Sequence, residues 1–282
     1  MPAVPQTQQA TDEPLVVVRR EARVAWLVID RPEVHNALST ATNHLLRASL
    51  EELDADPAVG CIVIRGAGER SFSAGADLRE VSGKSAEQLQ TEFDSIVSST
   101  ETMRTIGTPV IAAVHGYAFG GGLGLVAAAD LAIASEDALF ATPEITLGRF
   151  PLIISAAILR SVPEKKAFEM AFTGRRFTAA EARDMGLVNT VVPRECLWDD
   201  VRGVADTISS YSSGVLRMGK QALHQAADME FRQSLQHLRN VLTLNALTAD
   251  SAEGVQAFLE RRKPRWNAAD PDAPLDEGDV AR

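Results

Sequence analysis

The stretch VIAAVHGYAFGGGLGLVAAAD (residues 110–130) decides the fold. It predicts a short buried strand at residues 110–114, a turn at Gly116 and residues 120–122, and a helix of small residues that begins inside the glycine run. Glycine lets a ligand approach the backbone closely, and the first amides of a helix have no partner within that helix. The stretch therefore predicts backbone donors that can hold developing negative charge.

A second turn of small residues lies upstream, and a carboxylate lies downstream. SFSAGADL (residues 71–78) follows the apolar run at residues 61–65, and Glu144 follows the glycine run in the segment TPE. Two backbone-donor turns and one carboxylate are the groups needed to stabilise an oxyanion beside a proton-transfer residue. We therefore expect a catalytic site in which Glu144 is the acid/base.

Composition restricts the class of protein. The chain has 282 residues, which is enough for one large domain or for a domain with an appendage, and its 45% hydrophobic and 23% charged residues are typical of a soluble globular protein. The 28 basic and 38 acidic residues give a net charge of −10, which argues against nucleic-acid binding and favours a cytoplasmic protein. No apolar run approaches the roughly 18 residues of a membrane span. The histidines and the two cysteines show no metal spacing, so we expect no metal.

The remaining chain predicts an α/β fold with a predominantly parallel sheet. Before the glycine run the pattern predicts a hairpin at residues 15–30, a helix at 40–54, a strand at 61–65 and a surface helix at 85–106. After it we expect a strand at 131–134, helices at 151–162 and 163–173, a short helix after a capping box at Thr178 and Glu181, and a strand at 187–192.

The C-terminal part is predicted to be nearly all helix. Phe231, Leu235, Leu238 and Leu242 form one apolar stripe, which must be covered by the core or by a neighbouring subunit. The predicted organisation is a disordered tail at 1–14, a core at 15–197, a helical oligomerisation region at 198–267 and a disordered tail at 268–282.

Several motifs in the same order resemble the enoyl-CoA hydratase/isomerase (crotonase) superfamily. They are DRPEVHNAL (30–38), the turn at 71–78, the glycine run at 116–124, TPEITLG (142–148) and two C-terminal segments within 173–188 and 253–262. The resemblance, which covers residues 15 to about 266, implies a crotonase-like spiral of strand–strand–helix (ββα) turns with a C-terminal helical trimerisation region. It also implies a homo-oligomer, either a trimer or a dimer of trimers, that binds neither nucleic acid nor membrane.

The resemblance also implies chemistry on an acyl-CoA thioester through an enolate-like intermediate. No cofactor is expected, because coenzyme A is part of the substrate. The oxyanion donors would be the backbone amides of Ala76 and Gly121. Hydratases of the family typically have two glutamates; the second falls on Glu144, but the first falls on Gly124.

The resemblance further implies a set of substrate-binding residues. Backbone at Val34 and in the turn at 74–78 would hold the adenine and pantetheine parts of coenzyme A, whereas Arg79 and the basic run at 261–263 would meet its phosphates. Glu33 stands where many relatives have lysine, and Asp77 is expected to hydrogen-bond its own turn. The full predicted set is Val34, Ala74, Ala76, Asp77, Leu78, Arg79, Gly121 and Gly124.

Three functions remain open at this point. Glu144 acting alone is compatible with hydration of a 2-enoyl-CoA to a 3-hydroxyacyl-CoA, or with Δ3,Δ2-enoyl-CoA isomerisation, which needs one base. A catalytically weak acyl-CoA-binding protein is the third interpretation. FPLIIS (residues 150–155) replaces a glycine-rich loop of many hydratases, and it would either line an acyl pocket or simply pack.

Overall fold

The computed structural model describes residues 14–81 and 83–266, which form ten β-strands and eleven α-helices. The strands are β1 (Val16–Glu21), β2 (Val24–Ile29), β3 (Cys61–Gly66), β4 (Ser71–Ser73), β5 (Val110–Val114), β6 (Tyr117–Phe119), β7 (Leu131–Ser135), β8 (Leu139–Ala141), β9 (Phe177–Thr178) and β10 (Thr190–Val192). The helices are α1 (Thr40–Ala55), α2 (Leu78–Val81), α3 (Ala86–Thr105), α4 (Gly121–Ala128), α5 (Leu152–Ser161), α6 (Glu164–Thr173), α7 (Ala179–Asp184), α8 (Leu197–Ser209), α9 (Ser213–Ala227), α10 (Phe231–Ala246) and α11 (Ala249–Leu259).

The larger sheet has six strands in the order β1-β2-β3-β5-β7-β10. Only the β1–β2 hairpin is antiparallel; the other neighbours pair in parallel. Strands β2 and β5 are buried along their whole length because both faces of the sheet are covered, as is usual for parallel sheets. Leu27 and Ile64 belong to the main core on one face, and Val63 packs with α8 on the other. The predicted α/β fold with a predominantly parallel sheet is confirmed.

The smaller sheet positions the site. Its order is β4-β6-β8-β9, and the β4–β6 and β6–β8 pairs are parallel. Parallel neighbours leave a sheet at the same edge. The segments that follow these three strands, at residues 74–78, 120–121 and 142–148, therefore meet in space. These are the two predicted donor turns and the segment that contains Glu144.

Most predicted helices are present, including the one that begins in the glycine run. Helix α3 begins with a capping box at Ser85 and Gln88, and α7 begins with the predicted one at Thr178 and Glu181. The strand predicted at 187–192 is shorter, since only Thr190–Val192 pairs with β7. Leu187 instead donates its amide to Ala182 O at 2.9 Å, so the residues after α7 close the helix rather than extend the sheet.

The helix predicted at residues 85–106 is present as α3, but one of its faces is not at the surface, because α3 packs on α1 through a buried polar face. Ser95 and Ser99 are each 1% exposed. The amide of Asn43 in α1 donates to Ser95 Oγ and accepts from Ser99 Oγ. Hydrogen bonds between small side chains thus replace the apolar stripe that would mark a buried helix face in the sequence.

The four C-terminal helices differ in how they pack. Helix α8 covers the outer face of the larger sheet, and α9 is held by a buried ion pair in which Lys220 Nζ lies 2.7 Å from Asp130. Phe231 of α10, Leu247 directly after α10 and Phe258 of α11 are at least 77% exposed. Within the described residues, no helix is both long and apolar enough to cross a membrane. The tails predicted at 1–14 and 268–282 lie, apart from residue 14, outside the described residues.

Candidate active site

The first donor turn follows β4 and is held by backbone hydrogen bonds to Leu38. Leu38 N donates to Gly75 O at 2.8 Å, and Asp77 N donates to Leu38 O at 3.0 Å. Gly75 has φ of 90°, a conformation that strongly favours glycine. The amide of Ala76, which lies between Gly75 and Asp77, donates to no acceptor within residues 14–81 and 83–266. It is therefore available to a ligand.

The second donor turn lies directly against the first. Gly121 is the first residue of α4, so its amide has no partner within the helix, and no other described group accepts from it. A methyl carbon placed on Gly75 would lie 3.1 Å from Gly121 N, and one placed on Gly121 would lie 3.7 Å from Ala76 N. The two free amides are thus adjacent, as an oxyanion hole requires.

Glu144 lies in a 3₁₀ turn, Pro143–Leu147, that follows β8. Two contacts fix this turn: the buried Thr142 donates its hydroxyl to Met170 O at 2.7 Å, and Arg149 N donates to Glu144 O at 3.0 Å. The Glu144 carboxyl lies beside the second donor turn, because a methyl carbon on Gly120 would be 2.9 Å from its Oε1. The predicted acid/base and both predicted donor turns are therefore brought together.

The Glu144 carboxyl is in an environment that favours its neutral form. Its Oε2 atom is buried and has no hydrogen-bond partner among the described residues. Burial raises the pKa of Glu144 above the ordinary glutamate value, and only a backbone hydrogen bond within the residue opposes it. A carboxyl group with a raised pKa is suited to both accepting and returning a proton near neutral pH.

A cavity of about 440 Å³ opens beside these groups. Leu38, Ala76, Gly121 and Glu144 form one end of it. Phe93 and Ile96 from α3, together with residues 149–154, form the remaining wall. Of the two interpretations of FPLIIS, the structure supports the lining one, because residues 150–154 all border this largely apolar space. Phe93 and Ile96 were missed in the sequence because α3 was interpreted as a surface helix.

Gly124 does not border the cavity, because Ile154 covers it. A methyl carbon on Gly124 would lie 2.5 Å from Ile154 Cγ2 and 3.0 Å from Ile154 Cβ. Both residues are buried. The volume in which a carboxylate at position 124 would begin is therefore filled by an isoleucine from α5. The packing of α4 against α5 therefore occupies the space that the first glutamate of the two-glutamate pattern would need.

This packing gives a stability prediction. Gly124→Ala is expected to lower the free energy of unfolding by about 1–3 kcal/mol, because the added methyl group overlaps Ile154. Ile154→Ala removes Cγ2, so the double variant is expected to lose less stability than the sum of the two single losses. Chemical denaturation of the four proteins measures this coupling. Strictly additive losses would show that the two positions do not compete for the same space.

Two residues of the motif DRPEVHNAL support the site without lining it. Arg31 donates to Asp77 Oδ2 at 3.0 Å and to Ala37 O at 2.6 Å. The fully buried Asn36, with φ of 56°, donates to Ala67 O and to Ser71 O. Together they tie the loop before α1 to the first donor turn. In the sequence these residues were visible only as part of the motif DRPEVHNAL, which does not show which groups they contact.

Of the predicted coenzyme A residues, Val34, Ala74, Asp77, Leu78 and Arg79 lie in or next to the first donor turn and do not border the cavity, whereas Ala76 does. Ala74 N donates to His35 O at 2.9 Å, which places it next to Val34. Leu78 and Arg79 are exposed at the start of α2. Arg79, and also Arg31, hydrogen-bond to Asp77 and lower the pKa of that carboxyl to about 2.

Other candidate groups lie away from the cavity. In the basic run at 261–263, Arg262 pairs with Glu253 and Glu260 in its own C-terminal segment. His115 is fully buried; its Nε2 lies 3.0 Å from Gly68 O and its ring contacts Trp198. Burial lowers the pKa of His115 to about 4.

Known proteins resemble the chain over about nine-tenths of its length. A family profile described as enoyl-CoA hydratase/isomerase matches residues 19–269. The probable enoyl-CoA hydratase echA8 of Mycobacterium tuberculosis is 36% identical over 253 residues, which cover 89% of this chain and 97% of that protein. The 2,3-dehydroadipyl-CoA hydratase of Escherichia coli is 35% identical over 88% of this chain and 97% of its own length.

Solved structures agree with the sequence relatives. The enoyl-CoA hydratase of Mycobacterium smegmatis superimposes with a TM-score of 0.87 at 34% identity, covering 90% of this chain and all of that one. Human enoyl-CoA hydratase domain-containing protein 3 gives the same TM-score at 31% identity, again covering 90% of this chain. The fold class is therefore the crotonase fold. The chain belongs to the enoyl-CoA hydratase/isomerase family.

Proposed function

We propose that the chain is an acyl-CoA enzyme that stabilises a thioester enolate. The thioester oxygen accepts hydrogen bonds from the amides of Ala76 and Gly121, and Glu144 transfers the proton at the α-carbon. One observation carries the proposal: the half-buried carboxyl of Glu144, whose Oε2 has no hydrogen-bond partner among the described residues, lies beside two unpartnered amides at the end of an apolar cavity. The α-proton of a thioester becomes acidic only when the charge on the oxygen is stabilised.

The reaction that we propose first is hydration of a 2-enoyl-CoA to a 3-hydroxyacyl-CoA, with Glu144 as the sole acid/base. The carboxylate removes a proton from water while the water oxygen bonds to C3, and the electron pair of the C2–C3 double bond moves to the thioester oxygen. Glu144 then returns the proton to C2. Relatives named as hydratases support this choice.

Isomerisation of a 3-enoyl-CoA to a 2-enoyl-CoA is the second candidate. The packing of Ile154 against Gly124 favours it, because a second carboxylate to orient water has no room at position 124. In this reaction Glu144 takes a proton from C2 and returns it to C4, and the double bond moves into conjugation. A single base is sufficient.

The absorbance of the conjugated thioester distinguishes the two reactions. A loss of absorbance from crotonyl-CoA, abolished in Glu144→Gln, is the result expected for hydration. A gain of absorbance from a 3-enoyl-CoA, with the absorbance of crotonyl-CoA unchanged, would show that the enzyme catalyses isomerisation and not hydration. Binding of acyl-CoA without either change would leave a catalytically weak binding protein.

We infer that coenzyme A binds across the first donor turn. Val34 and Ala74 would meet its adenine and pantetheine parts, and Arg79 would meet a phosphate. The Arg79 side chain is 64% exposed. Because Arg31 also holds Asp77, Arg79 can turn toward a phosphate while Asp77 keeps a partner. Gly121 serves the thioester, and Gly124 shapes the site only through Ile154.

We further propose that the protein is a cytoplasmic homo-oligomer, a trimer or a dimer of trimers. The exposed apolar side chains of α10 and α11 support this, because residues such as Phe231 at 77% and Phe258 at 81% exposure are rarely left to solvent in such number. Light scattering is expected to give a mass that is a multiple of three chains. Phe258→Glu is expected to reduce that mass, whereas Leu45→Glu, on the partly exposed side of α1, is not. A monomeric parent protein would contradict the proposal.

A further inference from the structure

A second cavity continues the first one between helices α3 and α5. Its volume is about 460 Å³. Leu152 and Ile153 border both cavities, so the two spaces adjoin at these side chains. The wall of the second cavity is apolar near this junction, where Val97, Ala156 and Ala157 border it.

The two cavities follow one another along both helices. On α3, Phe93 and Ile96 line the first cavity and Val97 to Arg104 contribute to the second. On α5, residues 152–154 line the first and residues 156–160 contribute to the second. Residue numbers increase in the same direction on both walls. The cavities therefore form one groove that begins at Glu144 and runs along the two helices.

The helix geometry gives the length of this groove. Phe93 and Arg104 are 11 residues apart, and a rise of about 1.5 Å per residue places them about 16 Å apart along α3. An extended hydrocarbon advances about 1.3 Å per carbon, since its bonds of about 1.5 Å zigzag. The groove therefore matches a chain of about 12 carbons.

The far end of the groove carries balanced charge. Arg160 and Asp228 form an ion pair with 3.0 Å between Nη2 and Oδ1. The other charged side chains at this end are Glu101 and Arg104, one of each sign. There is no excess of positive charge to attract a terminal carboxylate. An alkyl chain that ends in a methyl group fits both the apolar wall and this charge balance.

We propose that the acyl group of the substrate is a long alkyl chain of about 10–14 carbons that extends past Leu152 and Ile153 into the second cavity. This inference rests on the proposed acyl-CoA function and adds the class of acyl group. Leu152 and Ile153, which border both cavities, are then specificity-determining residues.

Calorimetric titration with saturated acyl-CoAs tests the inference without turnover. Full burial of a methylene corresponds to about a fourfold gain in affinity, so a half-open groove is expected to give about twofold per methylene. Dodecanoyl-CoA is then expected to bind roughly 10²-fold more tightly than butanoyl-CoA. Equal affinities for the two ligands would overturn the inference but leave the acyl-CoA function intact. If neither butanoyl-CoA nor dodecanoyl-CoA binds, the inference and the acyl-CoA function are both overturned.

Two variants block the groove from opposite walls. Ala156 on α5 and Val97 on α3 are exposed and border only the second cavity, so a tryptophan at either position fills it without entering the core. Ala156→Trp and Val97→Trp are each expected to remove most of the advantage of dodecanoyl-CoA over butanoyl-CoA. Ala180→Trp, at an exposed alanine on α7 that borders neither cavity, is the matched control. An unchanged chain-length profile in both blocking variants would overturn the inference.

Discussion

Replacing Glu144 by glutamine is expected to lower kcat by about 10²–10⁴-fold, because a positioned acid/base contributes rate factors of this size and no second carboxylate among the described residues borders the cavity to substitute for it. Glutamine has nearly the same shape, so affinity for a saturated acyl-CoA is expected to change only a few fold. Steady-state kinetics with crotonyl-CoA and with a 3-enoyl-CoA measure the first effect, and titration calorimetry measures the second.

A surface glutamate provides the control for this variant. Glu164 is exposed at the start of α6, away from the cavity, and Glu164→Gln is expected to retain the kinetics of the parent protein. Activity in Glu144→Gln that stays within tenfold of the parent would contradict the role assigned to Glu144.

The raised pKa of Glu144 gives this prediction a pH dependence. Hydration and isomerisation both begin with the ionised carboxylate, so kcat/KM is expected to fall on acidification with a midpoint above the ordinary glutamate pKa of about 4.3.

The same ionisation is expected to lower the stability of the folded protein. Because burial raises the pKa of Glu144 in the folded state, ionising its carboxyl costs free energy, and this cost is present only above the pKa of the unfolded state. Glu144→Gln is therefore expected to raise Tm at neutral pH, and the difference is expected to vanish below about pH 4.

Gly120→Ala is expected to produce the second large loss of activity. A methyl carbon at this position would lie 2.9 Å from Glu144 Oε1, so the carboxyl must move. Gly120 also has φ of 50°, and alanine there strains the turn that presents the Gly121 amide. Misplacing a catalytic group by about 1 Å can cost about 10²-fold. We expect kcat/KM to fall by about 10²–10³-fold and the free energy of unfolding by about 1–2 kcal/mol.

A second glycine separates the strain from the displacement. Gly186 has φ of 86°, but a methyl carbon there would meet only Ser161 O at an ordinary 3.5 Å. Gly186→Ala is expected to cost similar stability with kcat/KM unchanged. Equal kinetic losses in the two variants would show that strain, and not the displaced carboxyl, explains the effect of Gly120→Ala.

Local features of the sequence were sufficient to predict most of the fold and the centre of the site. The apolar run at residues 110–114 predicted β5, and the glycines and small residues that follow it predicted the turn and α4. The capping box at Thr178 and Glu181 predicted the start of α7, because its hydrogen bonds lie within four residues. The parallel sheet then brought the donor turns and Glu144 to one edge.

Contacts between distant segments could not be predicted in this way. The packing of Ile154 over Gly124 joins two helices that the sequence separates. The hydrogen bonds from Arg31 to Asp77 and from Asn43 to the serines of α3 likewise depend on the assembled fold. As a result, the absence of the first glutamate was visible in the sequence, but the occupant of its place was not. The lining role of Phe93 and Ile96 was hidden for the same reason.

Proton exchange at the α-carbon tests the central claim most directly, because it requires the enolate but neither hydration nor isomerisation. The measurement is the NMR spectrum of butanoyl-CoA incubated with the protein in deuterated water. Deuterium entering C2 with the parent protein, and not with Glu144→Gln, is the result that a Glu144 base and the Ala76 and Gly121 amides predict. Butanoyl-CoA that binds but keeps both C2 protons would contradict an enolate-stabilising site.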